Sequence, residues 1–156
     1  MFSDSVENNI VYGDPDAPMT AVISAADISD AHGFVQRLPQ GYDTVIGERG
    51  TGLSGGQKQR LSLARAILPT PSILILDDTT SAVDMETEKT IQDNLESMET
   101  KSTKIIIAQR ISSIKNADRI YVLDSGRIVE QGDHDELMAN KGYYYETCIL
   151  QQMVDA

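Results

Sequence analysis

Two short runs of residues have the chemistry to hold a nucleotide phosphate and a divalent metal. Residues 53–57 read Leu-Ser-Gly-Gly-Gln, and further along the chain the apolar run Ile73–Leu76 leads into Asp77 and Asp78. The first run is a glycine-rich turn ahead of a helical stretch, and the second is a strand that ends in two carboxylates. Unpaired backbone N–H groups bind phosphate oxygens, and carboxylates bind Mg²⁺.

The glycine-rich run is predicted to open a helix whose first turn binds an anion. Ser54 is a good N-cap, and Gln57 stands where it completes a capping box. Residues 58–68 show apolar residues at helical spacing without glycine or proline. Gly55 and Gly56 then lie where N–H groups are unpaired and no Cβ blocks a phosphate, and the Ser54 hydroxyl adds a donor. The alternative is an ordinary capped helix, although each glycine destabilises it by roughly 1 kcal/mol relative to alanine.

The second run is predicted to bring two carboxylates to a ligand-binding edge. Ile73–Leu76 is short and fully apolar, which is typical of a buried parallel strand. Open α/β sheets bind ligands at the carboxyl ends of their strands, where Asp77 and Asp78 emerge. Successive strand residues point to opposite faces, so one carboxylate can hold Mg²⁺ while the next reaches an attacking water. The alternative is a solvated strand exit, where aspartate is common.

Composition narrows the class of protein. The 156 residues carry a formal net charge of −11 with no basic stripe, which argues against a nucleic-acid binder and favours a solvated cytosolic surface. The single cysteine, Cys148, fits a reducing compartment. No run approaches the roughly 20 apolar residues needed to cross a bilayer, and no signal-peptide pattern is present. The length predicts one domain, and we expect this segment to be soluble.

The elements that must position the two runs form an α/β pattern. Helices and loops are predicted before residue 69, and alternating strands and helices after it. Beyond the two runs, the predicted elements are a turn-rich segment at Asn8–Asp16, a helix at Ala21–Ala31, a helix from the N-cap Asp84 to about Met98, a buried strand at Lys104–Ala108, a hairpin of Ile120–Leu123 and Arg127–Glu130, a short helix with a capping box of Asp133 and Glu136, and a helix at Tyr143–Met153.

In order and spacing, these motifs resemble those of the ATP-binding cassette (ABC) family, specifically its exporters. The resemblance runs from about Phe2 to Gln152. The matching motifs are the signature (Leu53, Ser54, Gly55, Gly56 and Gln57), the Walker B strand ending at the Mg²⁺ ligand Asp77, Asp78 at the position of the catalytic glutamate, the D-loop (Ser81, Ala82, Val83 and Asp84), Gln109 at the position of the H-switch histidine, and the X-loop Thr44–Gly50.

The resemblance implies a partial P-loop NTPase fold of the ABC type. Residues 1–156 would form a single partial nucleotide-binding domain, with a helical subdomain over about 1–68 and the Walker B and H-switch α/β part over about 69–156. No G-x-x-x-x-G-K-[ST] run occurs in the chain, so the Walker A loop and the Q-loop are expected to precede it. We therefore expect an incomplete sheet with an apolar edge at Lys104–Ala108, and an isolated segment that binds ATP and Mg²⁺ weakly or not at all and is inactive.

The resemblance also implies partners and a location for the parent protein. Such a protein hydrolyses ATP with Mg²⁺ at the cytoplasmic face of the plasma membrane and couples this reaction to export. One partner would be a second ABC nucleotide-binding domain, whose ATP the signature contacts. The other would be the coupling helices of a transmembrane domain, which Thr44–Gly50 would face. The transported substrate cannot be deduced from the sequence.

Two departures from the family pattern bear on the type of assembly. Asp78 is one methylene shorter than glutamate, and Gln109 cannot carry a proton. Both changes weaken the same half-site while the signature is intact, which favours one subunit of a heterodimeric exporter over a homodimer that tolerates both. Two other functions stay open: a non-transport ABC ATPase, against which the X-loop and the acidic charge count, and a catalytically dead interaction module.

Overall fold

The computed structural model describes residues 1–98 and 102–154, and their contacts separate two compact units, Met1–Ile107 and Ala108–Ala156. Within the described residues, no helix is both long enough and apolar enough to span a membrane. The first unit contains β1 (Asp4–Ser5), α1 (Val6–Ile10), α2 (Met19–Ile28), α3 (His32–Val35), β2 (Val45–Ile46), α4 (Gly55–Ile67), β3 (Ile73–Asp77), α5 (Met85–Glu96) and β4 (Thr103–Ile107). The second contains β5 (Ile120–Asp124), β6 (Arg127–Gly132), α6 (His134–Asn140) and α7 (Tyr143–Val154).

The core of the first unit forms around α4. This helix packs against α1 and α2, and its apolar side chains at helical spacing are buried. Arg65 on the same helix donates hydrogen bonds to the backbone carbonyl and the side-chain oxygen of Asn9, at 2.5 and 2.8 Å. Asn9 is itself buried, and its amide donates to the carbonyls of Phe2 and Ser5. The N-terminal segment is therefore tied to α4 by satisfied polar contacts as well as by apolar burial.

The N-terminal segment differs from its prediction. The turn-rich interpretation of Asn8–Asp16 is wrong at its start, because α1 continues to Ile10 from an N-cap at Ser5, whose side chain accepts the Asn8 N–H. The helix predicted at Ala21–Ala31 begins earlier and ends at Ile28. Asp30 follows with a φ of 55°, a left-handed conformation that the helix cannot include.

The two longest strands of the first unit run parallel, as predicted. Residue pairs run in register from Ile73 with Thr103 to Asp77 with Ile107. The expectation of fully buried strands is wrong, because Leu74 and Leu76 are buried whereas the alternate residues of β3 and most of β4 are exposed. Only one face of this two-stranded sheet is packed in the described unit, and strand residues alternate between the faces. As expected, β4 has a single strand neighbour among the described residues.

The second unit is a hairpin followed by two helices. β5 and β6 pair antiparallel, and the turn residues Ser125 and Gly126 both have positive φ, 49° and 76°, as a type I′ turn requires. The predicted capping box of Asp133 and Glu136 is confirmed at the start of α6. The start of α7 is capped from the hairpin, because the Glu130 carboxylate accepts the N–H groups of the first two residues of that helix at 2.8 and 2.9 Å.

The exposed edge of β4 leads to a prediction about self-association. Ile105 and Ile107 are 46% and 54% exposed, and unpaired apolar edges recruit other chains. We expect this chain to associate as its concentration rises, and Ile105→Lys combined with Ile107→Lys to shift it toward monomer in light scattering. Val45→Lys, at a residue 67% exposed on β2, is the control and should leave association unchanged. Equal association of the double variant and the unmodified chain would contradict the prediction.

Candidate functional site

The first turn of α4 has the predicted capping box. The Ser54 hydroxyl oxygen accepts the Gln57 N–H at 3.3 Å, and the Gln57 side-chain oxygen accepts the Ser54 N–H at 2.9 Å. Ser54 and Gly55 are exposed, whereas Gly56 is buried and Leu53 is half-buried. The exposed pair presents the open end of a helix to solvent, where unpaired N–H groups and the macrodipole favour an anion.

The two carboxylates stand at the end of β3, as predicted. Asp77 is the last residue of the strand, and the Asp78 N–H extends the ladder by donating to the Ile107 carbonyl at 3.3 Å. Both residues are exposed. Asp78, however, has a φ of 51°, so its backbone has already left the extended conformation. The prediction that strand alternation points the carboxylates of Asp77 and Asp78 to opposite faces is therefore wrong in its reasoning, because Asp78 lies outside the extended strand.

The loop after β3 is closed by hydrogen bonds between residues three positions apart. The Ser81 hydroxyl donates to the Asp78 carbonyl at 3.2 Å, and the Val83 N–H donates to the Thr80 carbonyl at 3.2 Å. Asp84 then caps α5, with its two carboxylate oxygens accepting the N–H and the hydroxyl of Thr87 at 2.9 and 3.1 Å. These two hydrogen bonds, the backbone one first, lower the pKa of Asp84 below its ordinary value.

The first turn of α4 and this loop meet in the same unit. A Cβ on Gly56 would lie 2.8 Å from the Ala82 carbonyl oxygen and 3.1 Å from a methyl group of Val83. A Cβ on Gly55 would lie 3.4 Å from the Ala82 Cβ, which is ordinary contact. Packing within the chain therefore requires a glycine at position 56, in addition to the phosphate-binding role predicted for both glycines. The exposed Gly55 has no such packing requirement.

Gln59 is the site residue that the sequence argument missed. Its side-chain nitrogen donates to the Asp78 carbonyl at 3.1 Å and to the Ser81 hydroxyl at 2.9 Å, and its side-chain oxygen accepts the Ala82 N–H at 2.9 Å. A glutamine one turn inside a capped helix is indistinguishable in sequence from a solvated surface residue. Only the tertiary fold brings its amide to the loop.

The remaining predicted residues are described within their own units. Gln109 belongs to the second unit, where it is exposed and its carbonyl accepts the Gln151 amide at 2.8 Å, so its relation to Asp78 stays a prediction. In the segment Thr44–Gly50, Val45 is 67% exposed and Ile46 is buried. Arg49 has a φ of 56° in a tight turn. This segment presents an exposed surface, and its proposed partner stays a prediction.

The residues present fit part of a magnesium site. The described residues include no cluster of three or more histidine, cysteine, aspartate or glutamate side chains that could enclose a metal. Mg²⁺ is usually held by one or two carboxylates together with waters and substrate phosphates, and does not need such a cluster. The exposed carboxylates at the end of β3 match that requirement, with Asp77 as the predicted ligand.

Comparison with known proteins identifies the family. The ABC transporter family model matches residues 3–81. The chain is 56% identical over 97% of its length to an uncharacterised ABC transporter ATP-binding protein of Bacillus subtilis, YknU, of which it spans 26%. It is 50% identical over 98% of its length to a putative multidrug export ATP-binding/permease protein of Staphylococcus aureus, of which it also spans 26%.

A solved structure shows the same fold. It is a bacterial Atm1-family ABC exporter with ATP bound, and it matches 97% of this chain with a TM-score of 0.93 and 43% identity, while the chain spans 27% of it. The chain belongs to the ABC transporter family, and its fold is part of the ABC ATPase form of the P-loop NTPase fold. It spans about a quarter of the length of these relatives.

The two glycines at the start of α4 are predicted to respond differently to alanine. Gly56→Ala should destabilise this chain by roughly 1–3 kcal/mol, because its Cβ would press on a backbone carbonyl that cannot move freely. Gly55→Ala should be neutral or stabilise it by up to about 1 kcal/mol, since alanine favours a helix and space is present. Urea-unfolding midpoints of the two variants and the unmodified chain provide the measurement. Equal destabilisation by both would contradict the packing role of Gly56.

The cap of α5 is predicted to respond to pH. Because its pKa is lowered in the folded state, ionised Asp84 contributes stability above its ordinary pKa of 3.8, and this contribution is lost as the pH falls through the folded value. The Thr87 amide resonance should shift in acid as this cap is lost. Asp84→Asn keeps an acceptor for that N–H but has no ionisable group there, so its spectrum should lack the transition. A transition of equal size in both proteins would rule out Asp84 as its source.

Proposed function

We propose that this chain forms part of the ATP-hydrolysing domain of an ABC exporter. The observation that carries the proposal is the junction of the glycine-rich turn with the loop that begins at Asp78, through the contacts of Gly56 and Gln59 with residues 78–83. This observation does not depend on the names of the relatives. Those names are consistent with the proposed function. They include multidrug export for one relative and bound ATP for the Atm1-family structure.

Each site residue has a proposed role. Asp77 holds Mg²⁺, which supplies electrostatic stabilisation to the phosphates that it binds. Asp78 orients the attacking water, and Gln109 donates a hydrogen bond to the γ-phosphate. The signature, residues 53–57, binds the ATP held by a second nucleotide-binding domain through the N–H groups of the first turn of α4 and the Ser54 hydroxyl. Residues 81–84 form the D-loop.

The proposed setting follows from the same family membership. Thr44–Gly50 contacts the coupling helices of a transmembrane domain, and the site operates at the cytoplasmic face of the plasma membrane. Residues of about 1–68 form the helical subdomain and those of about 69–156 the α/β part. The 156 residues contain no lysine-bearing phosphate loop of the G-x-x-x-x-G-K-[ST] type, so on their own they bind ATP and Mg²⁺ negligibly and do not hydrolyse it.

We further propose that the second nucleotide-binding domain is non-identical. The support comes from two side chains that the family resemblance assigns to one half-site: Asp78 is too short by one methylene to match glutamate, and Gln109 cannot take up a proton. A displacement of about 1 Å lowers a rate by roughly a hundredfold, so this half-site would be slow. The partner's half-site, completed by the signature of this chain, would carry most of the turnover.

The decisive variant is Asp78→Asn in the assembled exporter. If the half-site is a slow one, steady-state phosphate release should fall only severalfold, because the partner's site still turns over. If the assembly is a homodimer, Asp78 serves both sites and the rate should fall by about 10²–10⁴-fold, the usual scale for a lost general base. A fall beyond about a hundredfold would refute the non-identical pair. Failure of the unmodified assembly to hydrolyse ATP would refute the proposed function itself.

The reciprocal variant combines Asp78→Glu with Gln109→His. In a non-identical pair it should raise hydrolysis at the slow half-site, measured with the partner's own site inactivated. Lys89→Arg on α5, an exposed residue outside the proposed site, is the control and should leave the rate unchanged. If hydrolysis does not rise above that of the control, these two side chains do not limit the rate of the half-site.

A further inference from the structure

We infer that Gln59 is a positioning residue that joins the two nucleotide-facing surfaces of this chain. Its side-chain amide holds the first turns of α4 and the loop that follows β3 at a fixed separation. The inference rests on the proposed function in one respect: it assumes that the signature and the strand-end carboxylates serve two different ATP molecules. The hydrogen bonds that carry it are independent of that assumption.

The amide of Gln59 is satisfied from both ends. The Ala82 N–H can only donate, so it requires the side-chain oxygen, at 2.9 Å. The Asp78 carbonyl can only accept, so it requires the side-chain nitrogen, at 3.1 Å. These two backbone groups fix the orientation of the amide. Neither a carboxylate nor an ammonium group can satisfy both of them, which makes the position selective for an amide of this length.

A third contact closes the arrangement. The Gln59 nitrogen also donates to the Ser81 hydroxyl at 2.9 Å, and that hydroxyl donates to the Asp78 carbonyl at 3.2 Å. The Asp78 carbonyl therefore receives hydrogen bonds from two side chains. Since Asp78 has a φ of 51°, an unusual conformation for a residue other than glycine, these contacts hold its backbone in place. The position of the Asp78 carboxylate depends on that backbone.

The junction can transmit a displacement because it is short and well packed. Gly56 lies against the Ala82 carbonyl, so the helix cannot move toward the loop without a clash, and the Gln59 bonds oppose movement away from it. A ligand that pulls on the first turn of α4 therefore also shifts the loop that begins at Asp78. This gives a physical coupling between a phosphate bound at the signature and the carboxylate that orients water in the other site.

Amide hydrogen exchange tests the contact directly. Gln59→Leu removes the donor and the acceptor, so the Ala82 N–H should exchange about tenfold faster or more, while the Thr87 N–H, capped by Asp84, keeps its rate. Gln59→Glu keeps an acceptor and should leave the Ala82 exchange rate close to that of the unmodified chain. Gln36→Leu, at an exposed residue away from this loop, is the control and should change neither rate.

Kinetics of the assembled exporter test the positioning role. The partner's own site is inactivated for this measurement, so that turnover reports the half-site of Asp78. Both Gln59 variants lose the donor to the Asp78 carbonyl, so both should lower this kcat about fivefold, the effect expected from one lost hydrogen bond. The KM for ATP should stay within about twofold, since no bond to nucleotide is removed. Gln36→Leu should have the kcat and KM of the unmodified assembly. This split separates positioning from a general loss of structure, which circular dichroism checks for each variant.

The outcomes are distinguishable. Unchanged Ala82 exchange in Gln59→Leu would refute the contact. If Gln59→Leu fails to fold, the kcat of Gln59→Glu tests the positioning role instead. An unchanged kcat in that variant would overturn it. A rise in KM equal to the fall in kcat would also overturn it, by assigning Gln59 to binding. If the unmodified assembly hydrolyses no ATP, the proposed function fails together with the coupling, and the exchange measurement still decides the contact.

Discussion

The close approach of α4 to the loop after β3 is the constraint on which the rest of the first unit depends. A Cβ on Gly56 would lie 2.8 Å from the Ala82 carbonyl oxygen, so the fold itself requires a residue without a Cβ at this position. Once the two backbones are in contact, the direction of α4 and the path of the chain into α5 are set together. The apolar side of α4 then packs on α1 and α2, and these three helices contribute about half of the buried core of the unit.

The parallel pairing of β3 with β4 places the carboxylates but leaves apolar surface behind. Backbone bonds continue to the Asp78 N–H, so the strand end that carries both carboxylates is paired with β4. The same two strands expose isoleucine side chains that a complete sheet of this class would cover. The same two strands thus place the carboxylates and carry the exposed apolar face.

Local features were predictable from the sequence, whereas contacts between distant residues were not. The capping boxes at Ser54 and Asp133 and the hairpin turn at Gly126 depend on neighbours within a few residues, and they were predicted correctly. The exposure of Ile73 and Ile75 depends on what covers the second face of a sheet, which no local pattern encodes. The contacts of Gln59 depend on tertiary structure for the same reason. The left-handed backbone of Asp78 is a further example, since aspartate adopts this conformation occasionally and its sequence neighbours do not indicate where.

The short sequence separation across the Gln59 contacts has a consequence for folding. They join residues 19 to 23 positions apart, whereas the bond from Asn94 to the Asp27 carbonyl spans 67 positions. Since the entropy of loop closure grows with the logarithm of loop length, the shorter closure is less unfavourable by about 1 kcal/mol. Formation of the helix-to-loop junction therefore does not have to await the longer closure that brings α5 onto α2, and it can serve as a local nucleus to which the N-terminal helices are added.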